Sequence, residues 1–154
     1  MQKFFKIFLL TIFSFTLANS ALAADHGSAE EAQALVKKAI AYIKANGAEK
    51  AYAEFSNPKG SFVDRDLYIY VADFTGKALA HGANIKLVGK DIRTLRDVDN
   101  KAFVIDILAM AESKGHGWVD YKWPNPADKN KAIVQKSTYF EKSGDVIVAC
   151  GIYK

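Results

Sequence analysis

The last predicted strand constrains the fold of this chain more than any other segment. Residues Val146–Cys150 read Val-Ile-Val-Ala-Cys, so both alternating faces of the strand are apolar. A strand with one solvated face carries a polar residue at every second position, whereas a strand that is covered on both faces does not. We therefore predict a sheet in which this strand is central and which is covered on both faces.

Two helical segments near the N-terminus are suited to cover one face. Ser28-Ala29-Glu30-Glu31 is a capping box, and Gly47 is a stop signal. Between them, apolar residues recur at helical spacing: Ala32, Leu35, Val36, Ala39, Ile40 and Ile43. The pattern predicts a long amphipathic helix, followed by a shorter helix over Ala48–Phe55.

The remainder of the chain predicts strands around one further helix. In order, we expect a β-hairpin over Leu67–His81, an irregular polar stretch over Ile85–Asp99, a helix over Asn100–Ser113, and strands over Trp118–Trp123, Lys131–Glu141 and Val146–Tyr153. The predicted fold class is α+β, with a central antiparallel sheet of about five strands. The long N-terminal helix covers one face, and the later helix with the irregular stretch covers the other. A cavity is expected between this second face and the loop layer.

The first 23 residues have the organisation of a secretory signal peptide. Lys3 and Lys6 precede the apolar run Ile7–Phe15, and Ala21-Leu22-Ala23 is a small-x-small cleavage motif. The run is shorter than the roughly 20 residues of a membrane-spanning helix, which disfavours a retained anchor. We expect cleavage after Ala23, a single domain over residues 24–154, and a periplasmic location for that domain.

The charge of the chain disfavours nucleic acid as a partner. The formal net charge is +4, and two of the lysines that contribute to it lie in the predicted signal peptide. No dense block of Lys or Arg and no nucleic-acid-binding motif occurs in the remainder.

An aromatic cluster marks the candidate functional region. Gly115–Pro126 contains both tryptophans of the chain, Trp118 and Trp123, together with Tyr121. These side chains combine a large apolar face with one polar group, which suits the wall of a pocket for a small polar molecule. Packing of a core is the alternative interpretation of aromatic residues in a strand.

The order of the segments and five short motifs resemble a single Cache domain of type 2, the PAS-like extracytoplasmic sensor module of bacterial chemoreceptors and histidine kinases. The resemblance covers Ser28–Tyr153. Its motifs are Gly76–Gly82, Leu87–Asp91, Gly115–Pro124, Lys136–Phe140 and Gly151–Tyr153. The resemblance implies reversible binding of a small ligand, often a short organic acid, in a pocket on the sheet, with signalling through an attached membrane helix.

The chain departs from the receptor plan at its last residue. The sequence stops at Lys154, directly after the last predicted strand, where a receptor would continue into the membrane. We therefore expect a soluble periplasmic binding or co-sensor protein that works with a membrane receptor or a histidine kinase. The alternative is an interaction subunit of a membrane sensor or respiratory complex that has no ligand.

A carboxylate ligand requires cationic or hydroxyl donors in an apolar surround. The candidate ligand-binding residues are Tyr70, Trp118, Tyr121, Trp123, Lys136 and Tyr139. Lys136 is the candidate charge partner, and a solvated lysine at a strand edge is its alternative interpretation. In a regular strand Lys136 and Tyr139 point to opposite faces, so both line one pocket only if a bulge intervenes.

Catalytic and metal-binding patterns are weak in this sequence. Cys150, the single cysteine, would form a dyad with His81 or His116, but its apolar neighbours disfavour a thiolate. The two histidines lack metal-ligand spacing, and Asp97–Asn100 lacks the glycine and glutamate of a calcium loop. We predict no cofactor, no metal and no catalytic residue, and a cysteine-dependent enzyme is the less favoured alternative.

Overall fold

The structure is a computed structural model that describes residues 26–154. The signal peptide predicted over residues 1–23 lies outside these residues. The elements are α1 (Ala29–Asn46), α2 (Ala48–Phe55), β1 (Val63–Asp64), β2 (Leu67–Asp73), β3 (Ala78–His81), a 3-10 turn (Ile85–Leu87), α3 (Phe103–Lys114), β4 (His116–Pro124), β5 (Ile133–Ser143) and β6 (Val146–Tyr153). None of the helices in this part of the chain has the length and apolar character that crossing a membrane requires.

The strands form one antiparallel sheet in the order β1-β2-β6-β5-β4, and β3 pairs with β2. β6 therefore lies between β2 and β5, which confirms the central position predicted from its two apolar faces. Ile147, Val148, Ala149 and Cys150 are all fully buried. The sheet has one strand more than the predicted five, because the two-residue strand β1 is too short to show alternation in the sequence.

The two N-terminal helices cover one face of the sheet. The Ser28 hydroxyl accepts a hydrogen bond from the Glu31 N–H, and the Glu31 carboxylate accepts one from the Ser28 N–H, so the predicted capping box is present. Gly47, at φ +82°, ends α1 and precedes α2. This conformation favours glycine, which has no Cβ. Buried side chains of both helices pack on Leu67, Ile69, Val71, Tyr139, Val148 and Cys150.

Helix α3 and the preceding loop cover the other face. Phe103 and Ile107 of the helix and Ile92 of the loop pack against Tyr70, Ala72, Phe140, Ile147 and Ala149. The helix begins later than predicted, because Asn100 has φ 63° and so lies outside helical geometry.

The loop between β3 and α3 is attached to the sheet at two places. The Gly89 N–H donates to the Ala78 carbonyl of β3 at 2.7 Å. The Asp97 carboxylate accepts from the backbone N–H of Lys122 in β4 at 3.0 Å and of Lys101 at 2.9 Å. These bonds lower the pKa of Asp97, because they stabilise the carboxylate. The loop is thus a fixed cover over this sheet face.

Candidate ligand-binding site

The register of the strands brings polar side chains together under the loop layer. Lys136 of β5 is paired with Tyr121 of β4 on one side and with Tyr153 of β6 on the other. Tyr70 of β2 is paired with His81 of β3. Since side chains alternate along a strand, the following residues share this face: Tyr68, Tyr70, His81, Tyr121, Trp123, Lys136, Thr138, Gly151 and Tyr153.

Lys136 is buried among neutral groups. Only 1% of its surface is exposed. Its Nζ donates to Tyr68 Oη at 2.5 Å and to Tyr153 Oη at 3.1 Å, and it lies 4.2 Å and 4.6 Å from the centres of these rings. No carboxylate within residues 26–154 forms an ion pair with it. Burial lowers the pKa of Lys136 to about 7, and the weaker effects of Cys150 and Asp66 oppose this shift.

Gly151 makes room for the Lys136 side chain. A Cβ at position 151 would overlap Cε of Lys136 and would lie 2.7 Å from Oγ1 of Thr138. The aliphatic part of the lysine therefore crosses β6 above Gly151 and brings the ammonium group to Tyr68 of β2.

Tyr70 and His81 each present a hydrogen-bond donor without an acceptor. Tyr70 Oη is buried and has no hydrogen-bond partner in the described part of the chain. The His81 ring stacks on Tyr70, and its Nδ1 accepts from the N–H groups of Ala83 and Asn84 at 3.2 Å and 3.0 Å. Because Nδ1 is an acceptor, the neutral ring carries its proton on Nε2, from which none of the described residues accepts a bond.

The charge state of His81 follows from its burial. Loss of solvation lowers the pKa of His81 to about 4, and the positive charge of Lys136 adds to this effect. The imidazole is therefore neutral at neutral pH and acts as a donor through Nε2–H.

Tyr68, Tyr70 and His81 line a cavity between the sheet and the loop layer. Its inner part has a volume of about 20 Å³, and the remaining walls are Leu87, Ile92, Leu95, Phe103, Val104, Tyr121 and Trp123. The outer part has a volume of about 410 Å³ and is lined by Tyr68, His81, Ala83, Asn84, Lys86, Leu87, Trp123, Pro124, Pro126 and Lys131. Tyr68, His81, Leu87 and Trp123 border both parts. Lys136 borders neither part, because its ammonium group lies behind Tyr68.

The structure places the six predicted ligand-binding residues in two groups. Tyr70, Tyr121 and Trp123 line the cavity, and Lys136 bonds to its wall. Trp118 and Tyr139 lie together on the opposite face, in the layer under α1, with ring centres 5.2 Å apart. β5 is in regular register over its length, so the bulge that would bring Tyr139 beside Lys136 is absent from it. The candidate site therefore retains four of the six predicted residues: Tyr70, Tyr121, Trp123 and Lys136.

Sequence reasoning missed Tyr68, Tyr153 and the position of His81 in the wall of the cavity. A signal for Tyr68 was available, because it is two positions from Tyr70 and so shares its strand face. The contribution of Tyr153 depends on the pairing of β6 with β5, which spacing along the chain does not define.

Cys150 lies on the α1 face and is fully buried. Burial raises the pKa of its thiol to about 12. The thiolate that nucleophilic chemistry requires is thus strongly disfavoured. No cluster of three or more His, Cys, Asp or Glu side chains suited to a metal ion occurs in residues 26–154.

A sheet covered on both faces, with an apolar cavity and a few convergent donors, is typical of a domain that binds a small molecule. The chain belongs to the Single Cache domain 2 family, whose model matches residues 14–154. Cache domains are sensory ligand-binding domains and are not enzymes. The family and the α+β fold expected from the sequence are thus confirmed.

Similar proteins are bacterial chemoreceptors and their sensor domains. The methyl-accepting chemotaxis protein McpP of Pseudomonas putida is 33% identical over 92 residues, which are 58% of this chain and 16% of that protein. The chain thus spans only a small part of this relative. A solved structure titled "Structural basis for carboxylic acid recognition by a Cache chemosensory domain" is 27% identical with a TM-score of 0.66, covering 80% of this chain and 91% of that one. A methyl-accepting chemotaxis protein of Vibrio parahaemolyticus is 26% identical, also with a TM-score of 0.66, covering 80% and 86%.

Proposed function

We propose that this chain is a periplasmic sensor domain that binds a short carboxylic acid in the cavity between the sheet and the loop layer. The observation that carries the proposal is a pair of donors without acceptors, Tyr70 Oη and His81 Nε2, near an ammonium group whose only acceptors among the described residues are neutral phenols. A buried donor without a partner costs about 1–3 kcal/mol, so an anionic ligand that accepts these bonds gains affinity. Similarity to a Cache domain described as recognising carboxylic acids supports the same ligand class.

The walls of the cavity favour a small ligand with an apolar tail. The Tyr121 ring stacks on Phe103 with 3.9 Å between the ring centres, and Trp123 packs against both. This aromatic wall limits the inner part, at about 20 Å³, to a group of about the size of a methyl or a water molecule, so most of the ligand lies in the outer part. Lys86 and Lys131 line the outer part, where their positive charge attracts anions toward the opening.

Tyr68, Tyr70 and His81 form the polar wall of the cavity, and this wall offers one arrangement for a carboxylate. Tyr68 Oη accepts from Lys136 Nζ, and its own proton points to Tyr153 Oη at 3.4 Å, because the Tyr153 hydroxyl donates to the Pro124 carbonyl. This long hydrogen bond is one that a ligand oxygen can replace. Tyr70 and His81 line the inner part together with Tyr68, and their Oη and Nε2 atoms supply two further donors. In this arrangement Lys136 provides the positive charge and acts on the carboxylate through the Tyr68 hydroxyl.

We further propose that the domain is exported, is cleaved after Ala23, and acts as a soluble binding or co-sensor protein beside a membrane receptor or a histidine kinase. Similarity to methyl-accepting chemotaxis proteins supports a role in signalling. The intact mass of the protein recovered from the periplasm tests this proposal. A chain that begins at Ala24 is expected, and a chain that retains Met1 or is confined to membranes would contradict it.

A thermal-shift screen tests the ligand class. Acetate, propionate and butyrate are compared with the corresponding neutral amides, which have the same shape but no negative charge. A ligand at 100 times its Kd stabilises the folded state by about 2.7 kcal/mol, which raises Tm by several degrees in a domain of this size. We expect shifts with the acids and none with the amides. If no acid shifts Tm, the interaction subunit without a ligand becomes the better interpretation.

A further inference from the structure

The surroundings of Lys136 contain no negative charge that is free to pair with it. From β2 it faces Tyr68, from β4 Tyr121 and from β6 Tyr153, all of which are phenols. Asp66, which is fully buried in the turn between β1 and β2, is an acid whose charge acts on the pKa of Lys136.

Asp66 is engaged by the segment that precedes α1. Its Oδ1 accepts from the Gly27 N–H at 2.7 Å, and its Oδ2 accepts from Nδ1 of His26 at 2.8 Å. The His26 side chain is 62% exposed, so this pair is open to solvent on the side of His26. Asp66 forms no ion pair with Lys136, and its attraction only partly offsets the loss of solvation.

We propose that binding of a carboxylate in this cavity is linked to uptake of one proton by Lys136, so that the domain responds to the acid and to the external pH together. This inference rests on the proposed function. In the free protein Lys136 is 1% exposed and has no carboxylate partner among residues 26–154, so burial disfavours the ammonium form and lowers the pKa to about 7. The carboxylate brings a negative charge to the Tyr68 hydroxyl that bonds to Lys136 Nζ, and the amine takes one proton from solvent. The product is an ammonium group and a carboxylate that are linked through this hydroxyl.

The phenols, the thiol and the imidazole next to Lys136 do not change protonation near neutral pH. Burial raises the pKa of Tyr68, Tyr121, Tyr153 and Cys150 above their ordinary values, so these groups keep their protons at neutral pH. His81, with a pKa of about 4, is already neutral there. Asp66 and His26 are hydrogen-bonded to each other, and neither lines the cavity.

The linkage gives a characteristic pH dependence. At a pH above the pKa that Lys136 has in the ligand-free protein, each binding event takes up close to one proton. Kd then rises about tenfold for each pH unit. Below that pKa the lysine already carries its proton, and Kd becomes independent of pH. The ligand carboxylate itself is ionised throughout this range.

Isothermal titration calorimetry tests the inference. Acetate is titrated into the protein at about pH 8, once in phosphate buffer and once in Tris buffer. The two buffers differ in ionisation enthalpy, so the difference between the observed binding enthalpies gives the number of protons taken up. We expect close to one proton per acetate and a Kd about tenfold higher at pH 9 than at pH 8. Lys136→Arg, which stays charged, should bind without proton uptake. Lys38→Met, at an exposed position of α1 outside the cavity, should retain the uptake.

The outcomes separate the inference from the proposed function. If acetate binds with the same enthalpy in both buffers and with a Kd independent of pH, the linkage is overturned and the proposed function stands. If neither acetate nor propionate binds at any pH, the proposed function fails and the linkage fails with it. The unmodified protein decides between these results, whether or not the Lys136→Arg variant folds.

Discussion

The aliphatic part of Lys136 lies directly above Gly151, in the volume that a Cβ at position 151 would fill. A glycine on the central strand thus lets a lysine of β5 reach Tyr68 of β2. The polar wall of the candidate site depends on this relationship, because a side chain at position 151 would keep the ammonium group from Tyr68.

Gly151→Ala is expected to destabilise the protein by about 1–3 kcal/mol, because the new methyl group overlaps the Lys136 side chain. Urea denaturation measures the loss. In the double variant Gly151→Ala/Lys136→Ala the methyl group occupies part of the vacated volume, so the combined loss should be smaller than the sum of the two single losses. Additive losses would contradict the proposed overlap.

Tyr70→Phe and Tyr121→Phe form a matched pair of variants, since both tyrosines are buried. The exposed fraction is 6% for Tyr70 and 4% for Tyr121. Tyr121 Oη bonds to Thr138 Oγ1 at 2.9 Å, so its removal should destabilise the protein by about 1 kcal/mol. Tyr70 Oη has no partner among the described residues, so Tyr70→Phe should leave the free protein equally stable or more stable. It should nevertheless weaken binding of a carboxylate. Equal losses of stability in the two variants would refute the assignment of Tyr70 Oη as a free donor.

Stability should decrease in acid because of His81. Its pKa is about 4 in the folded protein, below the ordinary 6.5, so the unfolded chain binds more protons between these values. The free energy of unfolding therefore falls as the pH drops from about 6.5 to 4, by up to about 3 kcal/mol from this group. His81→Asn, whose amide oxygen replaces the Nδ1 acceptor, should show a smaller decrease in urea denaturation at matched pH values. The same decrease in both proteins would mean that other groups cause it.

Cys150 should be unreactive in the folded protein, because it is fully buried and its pKa is raised to about 12. A thiol reagent at neutral pH should label the native protein slowly and should label one thiol per chain in denaturant. Rapid labelling of the native protein would instead favour the cysteine-dependent alternative.

The sequence predicts the layers of this fold well, because capping and alternation are local. The capping box at Ser28 and the stop signal at Gly47 define the two ends of α1. The two apolar faces of β6 define the centre of the sheet. The later start of α3 was not predictable from helical spacing, since it depends on the left-handed conformation of Asn100.

The candidate site was predictable only in part. Alternation along a strand assigns Lys136 and Tyr139 to opposite faces, and the regular register of β5 confirms this. Sequence spacing does not define which strands are neighbours, however. The contact of Lys136 with Tyr68 joins residues 68 positions apart and passes over a third strand, so it emerged only from the folded structure.

The central claim is that Lys136 supplies the positive charge for a carboxylate ligand. Its most direct test is titration of acetate into the wild type, Lys136→Met and Lys38→Met, with Kd as the readout. Methionine has a similar shape and fits above Gly151, and Lys38 is an exposed lysine on α1. We predict that Lys136→Met raises Kd at least about tenfold while Tm shows that the fold persists, and that Lys38→Met changes Kd by less than about twofold. An unchanged Kd in a folded Lys136→Met protein would contradict the claim.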